Sequence, residues 1–471
     1  MGRSMSAAGP VKTKESAASR AALLPRRGVF GFLAAGLLAT ASLGYIVELP
    51  EAPLVKLAMA AYMAASVCYA LGLTRAQERW IKLASSGALA GLLIQTTAIA
   101  SRWAVSGRPP FSNMYEMLLS FAWGVALLHV IFERKYNAFY SGVLAMPVAA
   151  LSMVLMMFLD STVRPLVPAL QSSLLHIHVS LAVISYAAFA LSFGTALLFL
   201  MRDGVSIEAF AAWASALAAF IYAAILGAFF RGGRMLLPAW DASTRQKIMF
   251  ERGVPAQVSI EGWGWLVLAG FLCALLPAAW YLWSGREAFA RSMSLLLWVS
   301  LAGQAVAAVA LVLGLLGGPY PAVQPQIDQP LMTSPSAAPF VVPGALAGLV
   351  FTGLVLLFST RYGTIVSRLP AAERLDRLTY RIIQVGLPLL TLMIVTGAFW
   401  ANRAWGAYWS WDPKEDWALI TWFTYAAYLH TRMLKGWRGR RSAYFAIIGF
   451  GVVLFTFFGV SYLLSGLHSY A

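Results

Sequence analysis

Aromatic residues concentrate in one short stretch of this chain of 471 residues, around a polar core that reads WGAYWSWDPKED. Six of its 17 tryptophans lie between positions 400 and 422: Trp400, Trp405, Trp409, Trp411, Trp417 and Trp422. The charges and the proline of the core exclude a membrane span, although apolar runs flank it on both sides. Tryptophan also anchors ordinary proteins at membrane interfaces. Anchoring does not require a WSWDPKE core, so the pattern favours a platform for a large, flat ligand.

The histidines are the next candidates for chemistry, because the chain has only five. Neutral imidazole is the usual protein ligand for haem iron. His178 is predicted near one end of a span and His468 just beyond the last span, both at the depth of the tryptophan stretch. Two imidazoles beside an aromatic surface are the parts needed to hold a haem from both faces. A single histidine near a helix end is more often an interfacial polar group, and that alternative stays open for each.

The other three histidines differ in setting. His430 lies inside a predicted span, about one turn from its end, where an ionisable side chain is costly and is by default a functional hypothesis. His176 precedes His178 by two positions, about 200° around a helix, so the two cannot face the same ligand. His129 has a similar place in another span and is interpreted as an ordinary structural residue.

Composition defines the elements that must position these residues. Hydrophobic residues make up 60% of the chain and charged residues only 11%, which excludes an ordinary soluble domain. About thirteen apolar runs are long enough to cross a bilayer as helices. They are 28–48, 52–73, 81–100, 114–133, 137–159, 175–201, 208–230, 262–283, 293–317, 341–359, 380–401, 417–434 and 442–464. The sequence therefore predicts an all-α, polytopic integral membrane protein.

The distribution of charge predicts how this protein is oriented. The net charge is +16, but the basic residues cluster in short loops, which argues against a nucleic-acid partner. The positive-inside rule then predicts a cytoplasmic N-terminus and an extracytoplasmic C-terminus, with the tryptophan stretch outside. One basic segment, 231–259, falls on the wrong side of this scheme. Residues 1–27 are predicted to be a disordered cytoplasmic leader, and the two cysteines, Cys68 and Cys273, lie inside spans and provide no thiol chemistry.

Three blocks of sequence make the chain resemble a known family. Residues 375–471 contain LDRLTYR, TGAFWAN, WGAYWSWDPKEDWALITW, YLHTR and GLHSY. Residues 101–123 (SRWAVSGRPPFSNMYEMLLSFAW) and 170–186 (LQSSLLHIHVSLAVISY) are the other two. Together they resemble the CcsA (ResC) type of system II cytochrome c biogenesis protein, a haem-handling membrane protein with a tryptophan-rich WWD signature. The blocks and the spans that carry them cover roughly half of the chain.

The resemblance implies roles for individual residues. His178 and His468 would be external axial ligands of haem b, and His430 a ligand within the membrane. The signature implies that Trp405, Trp409, Trp411 and Asp412 contact the haem, although Asp412 before a proline is equally typical of a turn. Arg102, Arg108 and Arg403 would be cations available to the haem propionates, or else solvated loop charges.

The resemblance also implies a reaction and its partners. A cytochrome c synthase joins the vinyl groups of haem to the thiols of a CxxCH segment in apocytochrome c. Its partners would be a separate CcsB (ResB)-type membrane protein, apocytochrome c and extracytoplasmic thiol-reducing proteins, in the cell membrane rather than the thylakoid. Two alternatives stay open: a haem exporter or haem-delivery protein without synthase activity, and a secondary transporter.

The predicted domain organisation rests on the predicted spans and on the same resemblance. Residues 28–203 would form the N-terminal helices, with an outer loop at 101–113 and the external His178. Residues 204–374 would be an insertion with four extra spans, since the family normally has a shorter connection there. Residues 375–471 would form the haem-handling core.

Overall fold

A computed structural model of the chain describes residues 29–47, 49–75, 77–163, 165–166, 168–241, 246–249, 255–324, 327, 330–334, 341–460 and 464. Thirteen α-helices lie within these ranges. They are α1 (Val29–Val47), α2 (Glu51–Arg75), α3 (Glu78–Ser106), α4 (Met114–Tyr136), α5 (Gly142–Met156), α6 (Ser173–Arg202), α7 (Ile207–Phe229), α8 (Trp263–Leu316), α9 (Val341–Thr360), α10 (Tyr362–Arg368), α11 (Ala372–Trp405), α12 (Pro413–Leu434) and α13 (Arg440–Leu454). The leader 1–27 and His468 lie outside the described residues.

Eleven helical segments among the described residues are long and apolar enough to cross a membrane. The predicted class, an all-α polytopic membrane protein, is therefore confirmed, whereas the number of spans and their orientation stay predictions. The count differs from thirteen at two places. The predicted spans 262–283 and 293–317 both form, as two antiparallel helical arms of α8 that join at Gly285, whose φ of 76° is not helical, and they are counted here as one segment. Gly270 of one arm lies against Ala307 of the other. Helix α12 forms as predicted but is not among the apolar eleven.

The helices pack in two groups. Helices α1 to α6 and α10 to α13 share one apolar core, whereas α7, α8 and α9 pack around a second. The closest pairing joins α6 to α11. There Gly386 faces the ring of Phe189, and the hydroxyl of Ser185 donates to the Gly386 carbonyl at 3.0 Å. Small residues that let two backbones approach are the usual basis of helix association in membranes.

A small β-structure follows α7, in the basic segment that the sequence analysis treated as a loop. Strands β1 (Phe230–Arg231), β2 (Arg234–Pro238) and β5 (Gln257–Ile260) form an antiparallel sheet, and β3 (Trp240–Asp241) pairs with β4 (Gln246–Lys247). Gly232 and Gly233 both have positive φ, which suits a two-residue hairpin turn. Alternate residues of β2 are buried against α8, so period-two alternation is present but short.

Two buried polar networks fasten helices at the end of the bundle opposite the tryptophan loop. His129 is fully buried and lies 3.0 Å from the Tyr69 hydroxyl and 3.1 Å from that of Ser141, which fits its interpretation as a structural residue. Asp376 of α11 accepts two hydrogen bonds from the guanidinium of Arg432 of α12, at 2.8 and 2.6 Å. The same carboxylate accepts from the Gly439 amide just before α13, at 3.3 Å. One ion pair therefore ties the ends of three helices together.

Candidate functional site

A cavity of about 190 Å³ lies at the tryptophan end of the main bundle. Helix α6 provides one wall with His178, and α11 faces it with Gly397 and Trp400. The loop before α4 contributes Phe111, and the loop before α12 contributes Trp409. Two regions that are far apart in the sequence thus meet at one apolar pocket, with an imidazole in its wall.

His178 is held in one tautomer by its neighbour on α11. Its Nδ1 lies 2.7 Å from the backbone carbonyl oxygen of Met393, 215 residues away in the sequence. A carbonyl only accepts hydrogen bonds, so Nδ1 carries the proton and Nε2 carries the lone pair in the neutral ring. The ring also lies against Trp400, with the centroids 6.2 Å apart and the planes 26° from parallel. Metal-binding histidines usually donate their other N–H in this way.

A glycine on α11 makes room for this imidazole. A Cβ at Gly397 would lie 2.6 Å from both Cε1 and Nδ1 of His178, closer than any ordinary contact. The TGAFW motif therefore places a glycine where the histidine ring approaches the helix. The sequence analysis did not assign Gly397 a role, because its partner is remote in the chain.

The WSWDPKE core forms a capping box at the start of α12. The Asp412 side chain accepts from the Lys414 amide at 3.0 Å, and the Glu415 side chain accepts from the Asp412 amide at 3.4 Å. Glu415 also accepts from the amide and the hydroxyl of Ser410, at 2.7 and 3.1 Å. Asp412 is buried but does not line the cavity, so its demonstrated role is structural. Its predicted contact with haem stays a prediction.

Lys414 is the cation of the loop that faces the cavity. It lies in the first turn of α12, before the apolar part of that helix. The pKa of its ammonium is lowered from the ordinary value because the group is withdrawn from water, and Asp412 partly opposes the shift. The rim of the cavity thus has one cationic side chain, Lys414, next to the carboxylate of Glu415.

The tryptophans of the stretch have different surroundings. Trp400 is buried and packs edge-to-face on Trp405, with centroids 4.8 Å apart. Trp409 lines the cavity. Trp411 is 72% exposed, lies outside the cavity wall and has a positive φ of 56°, which is uncommon for a bulky residue. Of the three tryptophans predicted to contact haem, Trp409 therefore lines the cavity. Trp405 packs against Trp400 and is not part of the lining, and Trp411 is on the surface.

A buried charge network holds the loop that contributes Phe111. Glu116 of α4 accepts from Arg102 at 2.9 Å, from Arg108 at 3.2 Å and from the Ser112 amide at 2.7 Å. Arg102 is 2% exposed and also pairs with Glu51 at 2.8 Å. The interpretation of Arg102 as a propionate contact or a solvated charge is therefore wrong: its guanidinium is used internally. The NMYE pattern contained a local signal for the start of α4, since the Asn113 side chain caps that helix by accepting from the Glu116 amide.

The far wall of the cavity is an irregular helical turn. Helix α13 continues into a π-helical turn, Phe455–Gly459, which brings Thr456 and Phe457 to the cavity. The Thr456 hydroxyl lies 3.0 Å from that of Thr421 on α12. Single π-turns inside helices occur often at functional sites.

The remaining predicted ligands are not at this cavity. His430 is on the surface of α12, about one turn before its end and far along that helix from Trp409. His468 lies outside the described residues. His176 does not line the cavity; its ring is 6.5 Å from that of Phe111. Within the described part of the chain, no group of three or more His, Cys, Asp or Glu residues could hold a metal ion.

These features define a class: a helical multi-pass membrane protein with an aromatic cavity and a tautomer-fixed histidine at one end. A sequence model of the family described as cytochrome C assembly protein matches residues 111–242 and 264–468, well over half of the chain. The chain therefore belongs to the cytochrome c assembly protein family. The match includes most of the segment 204–374 that the sequence analysis set apart as an insertion.

Proteins named cytochrome c biogenesis protein CcsA are similar to the chain over most of its length. The one from a Synechococcus species is 32% identical over 400 residues, 83% of this chain and 87% of that protein. That from a Synechocystis species is 32% identical over 397 residues, 83% and 89% of the two chains. That from Nostoc punctiforme is 34% identical over 393 residues, 82% and 88%. The predicted resemblance to the CcsA type is thus confirmed.

Proposed function

We propose that this protein matures cytochrome c by presenting haem, at the cavity beneath the tryptophan loop, for covalent attachment to apocytochrome c. The observation that carries the proposal is the hydrogen bond from His178 to the Met393 carbonyl inside an aromatic wall. It leaves Nε2 as the basic nitrogen, which is the form of imidazole that binds haem iron. The family membership and the names of the similar proteins support the same pathway.

The chemistry of the cavity residues fits haem as the substrate. His178 would be one axial ligand, Trp409 would contact the macrocycle, and Lys414 would pair with a propionate. Trp405 and Trp411 would support the same loop, the first from the packed side and the second from the surface. His468 would be the opposite axial ligand, as the resemblance implies.

The volume of the cavity sets a condition on this proposal. Pockets for cofactors usually start at about 300 Å³, and the cavity has about 190 Å³. A whole haem b therefore requires the walls to separate, or the macrocycle to extend beyond the described residues toward the tail or a partner. In either case His178 and Trp409 would still meet the ring, since both already face the same space.

His430 fits a separate, second haem position. It is exposed on α12, toward the end of the helix that lies away from the tryptophan loop. A surface histidine can share a haem with a ligand from another chain, and a CcsB (ResB)-type partner would supply that ligand. Haem would then pass from the His430 position to the His178 position before attachment.

The attachment itself is an addition of a thiol across a vinyl group. The sulfur forms a bond to one vinyl carbon, its proton goes to the other, and the double bond becomes single. No net oxidation occurs, but the thiols must be reduced, which is why thiol-reducing proteins are proposed partners. Because no side chain of this protein has to form a covalent bond in the reaction, positioning of haem and thiols would supply most of the rate enhancement.

The experiment compares two neighbouring histidines on α6. His178→Ala should lose most of the haem absorbance of the purified protein and most of the covalent cytochrome c that cells produce. His176→Ala is the matched control, because that side chain is not among the residues that line the cavity, and it should keep both. Added imidazole should partly restore the His178→Ala variant by occupying the vacated ligand position.

Two outcomes would contradict the proposal. Equal haem content in both variants would remove His178 from the site. Loss of covalent cytochrome c without loss of haem would place His178 in the attachment step and not in binding. A protein that only exports or delivers haem would bind it at His178 but would support no covalent attachment when reconstituted with its partner and apocytochrome c.

A further inference from the structure

A second cavity lies at the opposite end of the main bundle, where α4 ends and α11 begins. It has a volume of about 310 Å³. Four cationic side chains line it: Lys135 from α4 and Arg374, Arg377 and Arg381 from α11. The three arginines are spaced so that they follow one face of the helix. This end is predicted to be cytoplasmic.

The positive charge of this cavity is not neutralised by the described part of the chain. No Asp or Glu is among the residues that line it, and none of its four cations makes an ion pair with a described residue. Glu373 directly precedes Arg374 on α11 but is exposed and makes no ion pair with these arginines in the described part of the chain. Two other carboxylates of these helix ends are used elsewhere. Asp376 holds Arg432 with both oxygens, and Glu133 accepts from Tyr69 and Ser85.

Local contacts hold the cations around the opening. The guanidinium of Arg374 donates to the Tyr136 backbone carbonyl at 2.8 Å. Lys135 and Arg381 both lie 5.4 Å from the centroid of the Tyr136 ring, one from α4 itself and one across from α11. Three of the four cations are thus positioned around Tyr136, although all four are exposed at the opening of the cavity.

A buried hydroxyl lines the same cavity. Tyr140 is 2% exposed, and its hydroxyl oxygen has no hydrogen-bond partner among the described residues. A buried hydroxyl without a partner is costly, about 1 to 3 kcal/mol, and calls for an explanation. A hydrogen-bond acceptor bound between the arginines would provide one.

We propose that this cavity binds a phosphate-bearing anion through Lys135, Arg377, Arg381 and the Tyr140 hydroxyl. Arginine forks match phosphate geometry, and basic pockets between membrane helices bind anionic headgroups. The lining contains no His, Cys or Met among the described residues. The anion is either the headgroup of an anionic phospholipid or a soluble phosphate compound.

The test measures which phosphate probe the purified full-length protein retains. Native mass spectrometry in detergent counts dioleoylphosphatidylglycerol bound in competition with dioleoylphosphatidylcholine. In parallel, the unfolding midpoint is compared in inorganic phosphate and in chloride at equal ionic strength. The double variant Arg377→Gln/Arg381→Gln should bind about a hundredfold less tightly, because each of the two lost charge-assisted hydrogen bonds contributes about one order of magnitude in affinity. Tyr140→Phe should bind several-fold less while folding normally.

The control carries the same loss of charge at the same end of the bundle. Arg75 and Arg361 are exposed and lie outside the cavity, so Arg75→Gln/Arg361→Gln should bind like the unmodified protein. Retention of phosphatidylglycerol alone identifies a lipid headgroup, and a midpoint shift with phosphate alone identifies a soluble anion. Equal losses in the control and the arginine double variant, or no preference for either probe in the unmodified protein, would overturn the proposal. If the arginine double variant fails to accumulate, unchanged binding of the phosphate probe by Tyr140→Phe would overturn the proposal.

Discussion

Gly397→Ala tests the geometry of the proposed haem ligand without altering a polar or aromatic side chain of the cavity. The new Cβ would lie 2.6 Å from Cε1 and Nδ1 of His178. The imidazole must move away from α11, and its hydrogen bond of 2.7 Å to the Met393 carbonyl must lengthen or break. The lone pair on Nε2 would then no longer be fixed in direction, and the tautomer would no longer be fixed either.

The expected size of the effect follows from two terms. Loss of the partner that orients a metal-binding histidine typically lowers affinity by about 10 to 100-fold, or about 1.4 to 2.8 kcal/mol. The close contact between the new Cβ and the imidazole would lower the free energy of unfolding by about 1 to 3 kcal/mol. The replacement of a helical glycine by alanine would raise it by about 0.5 to 1 kcal/mol. The variant should therefore remain folded but bind haem at least tenfold more weakly.

The assay is the haem absorbance of the purified protein per polypeptide, titrated with haem and compared with Gly451→Ala. Gly451 is a helical glycine of α13 whose added Cβ would meet nothing within 4 Å. The control should gain slightly in stability and keep its haem. Wild-type affinity in Gly397→Ala, at matched protein level, would refute the assignment of His178 as a ligand held by α11.

Four further changes have defined outcomes. Asp412→Ala should lower the free energy of unfolding by about 1 kcal/mol through loss of the helix cap, whereas Asp412→Ser should recover most of it; equal melting of the two would contradict the capping role. Asp376→Asn leaves the buried Arg432 without its charge partner and should cost about 3 to 5 kcal/mol, measured by thermal unfolding in detergent; a loss below 1 kcal/mol would count against the pair. Trp409→Ala should reduce haem per protein although the protein still inserts, and unchanged haem would remove Trp409 from the site. His430→Ala should leave the outer cavity unloaded in the presence of the partner although no outer residue has changed, whereas normal loading would make it an ordinary surface histidine.

The helices were predictable from composition, because long apolar runs allow few alternatives in a bilayer. The exception is instructive. Charged residues after Gly285 suggested a loop, but glutamate, alanine and arginine are good helix formers. The second arm of α8 therefore begins directly after Gly285, and Arg286 pairs with Glu208 at 3.2 Å. Hydropathy indicates which segments can lie within a bilayer, but it does not indicate where a helix begins or ends.

The site was predictable residue by residue only where the signal was local. The capping box can be read from Asp412 and Glu415, three positions apart. The contact between His178 and Gly397 could not be read, since it depends on how α6 and α11 are aligned. Arg102 was misread because nothing in the sequence shows that Glu51 and Glu116 converge on it.

The ion pair between Asp376 and Arg432 has a mechanical consequence at the far end of the molecule. It joins α11, α12 and the start of α13 at one point, so a tilt of α12 about that point would widen the cavity at the other end, provided that the contact between Thr421 and Thr456 yields. Helix α12 has 22 residues and is therefore roughly 33 Å long. A tilt of about 5° over such a lever moves its first turn by roughly 3 Å, about the thickness of an aromatic ring. Because the ion pair is so far from the cavity, a small tilt of α12 would be enough to change whether a flat molecule fits between Trp409 and His178.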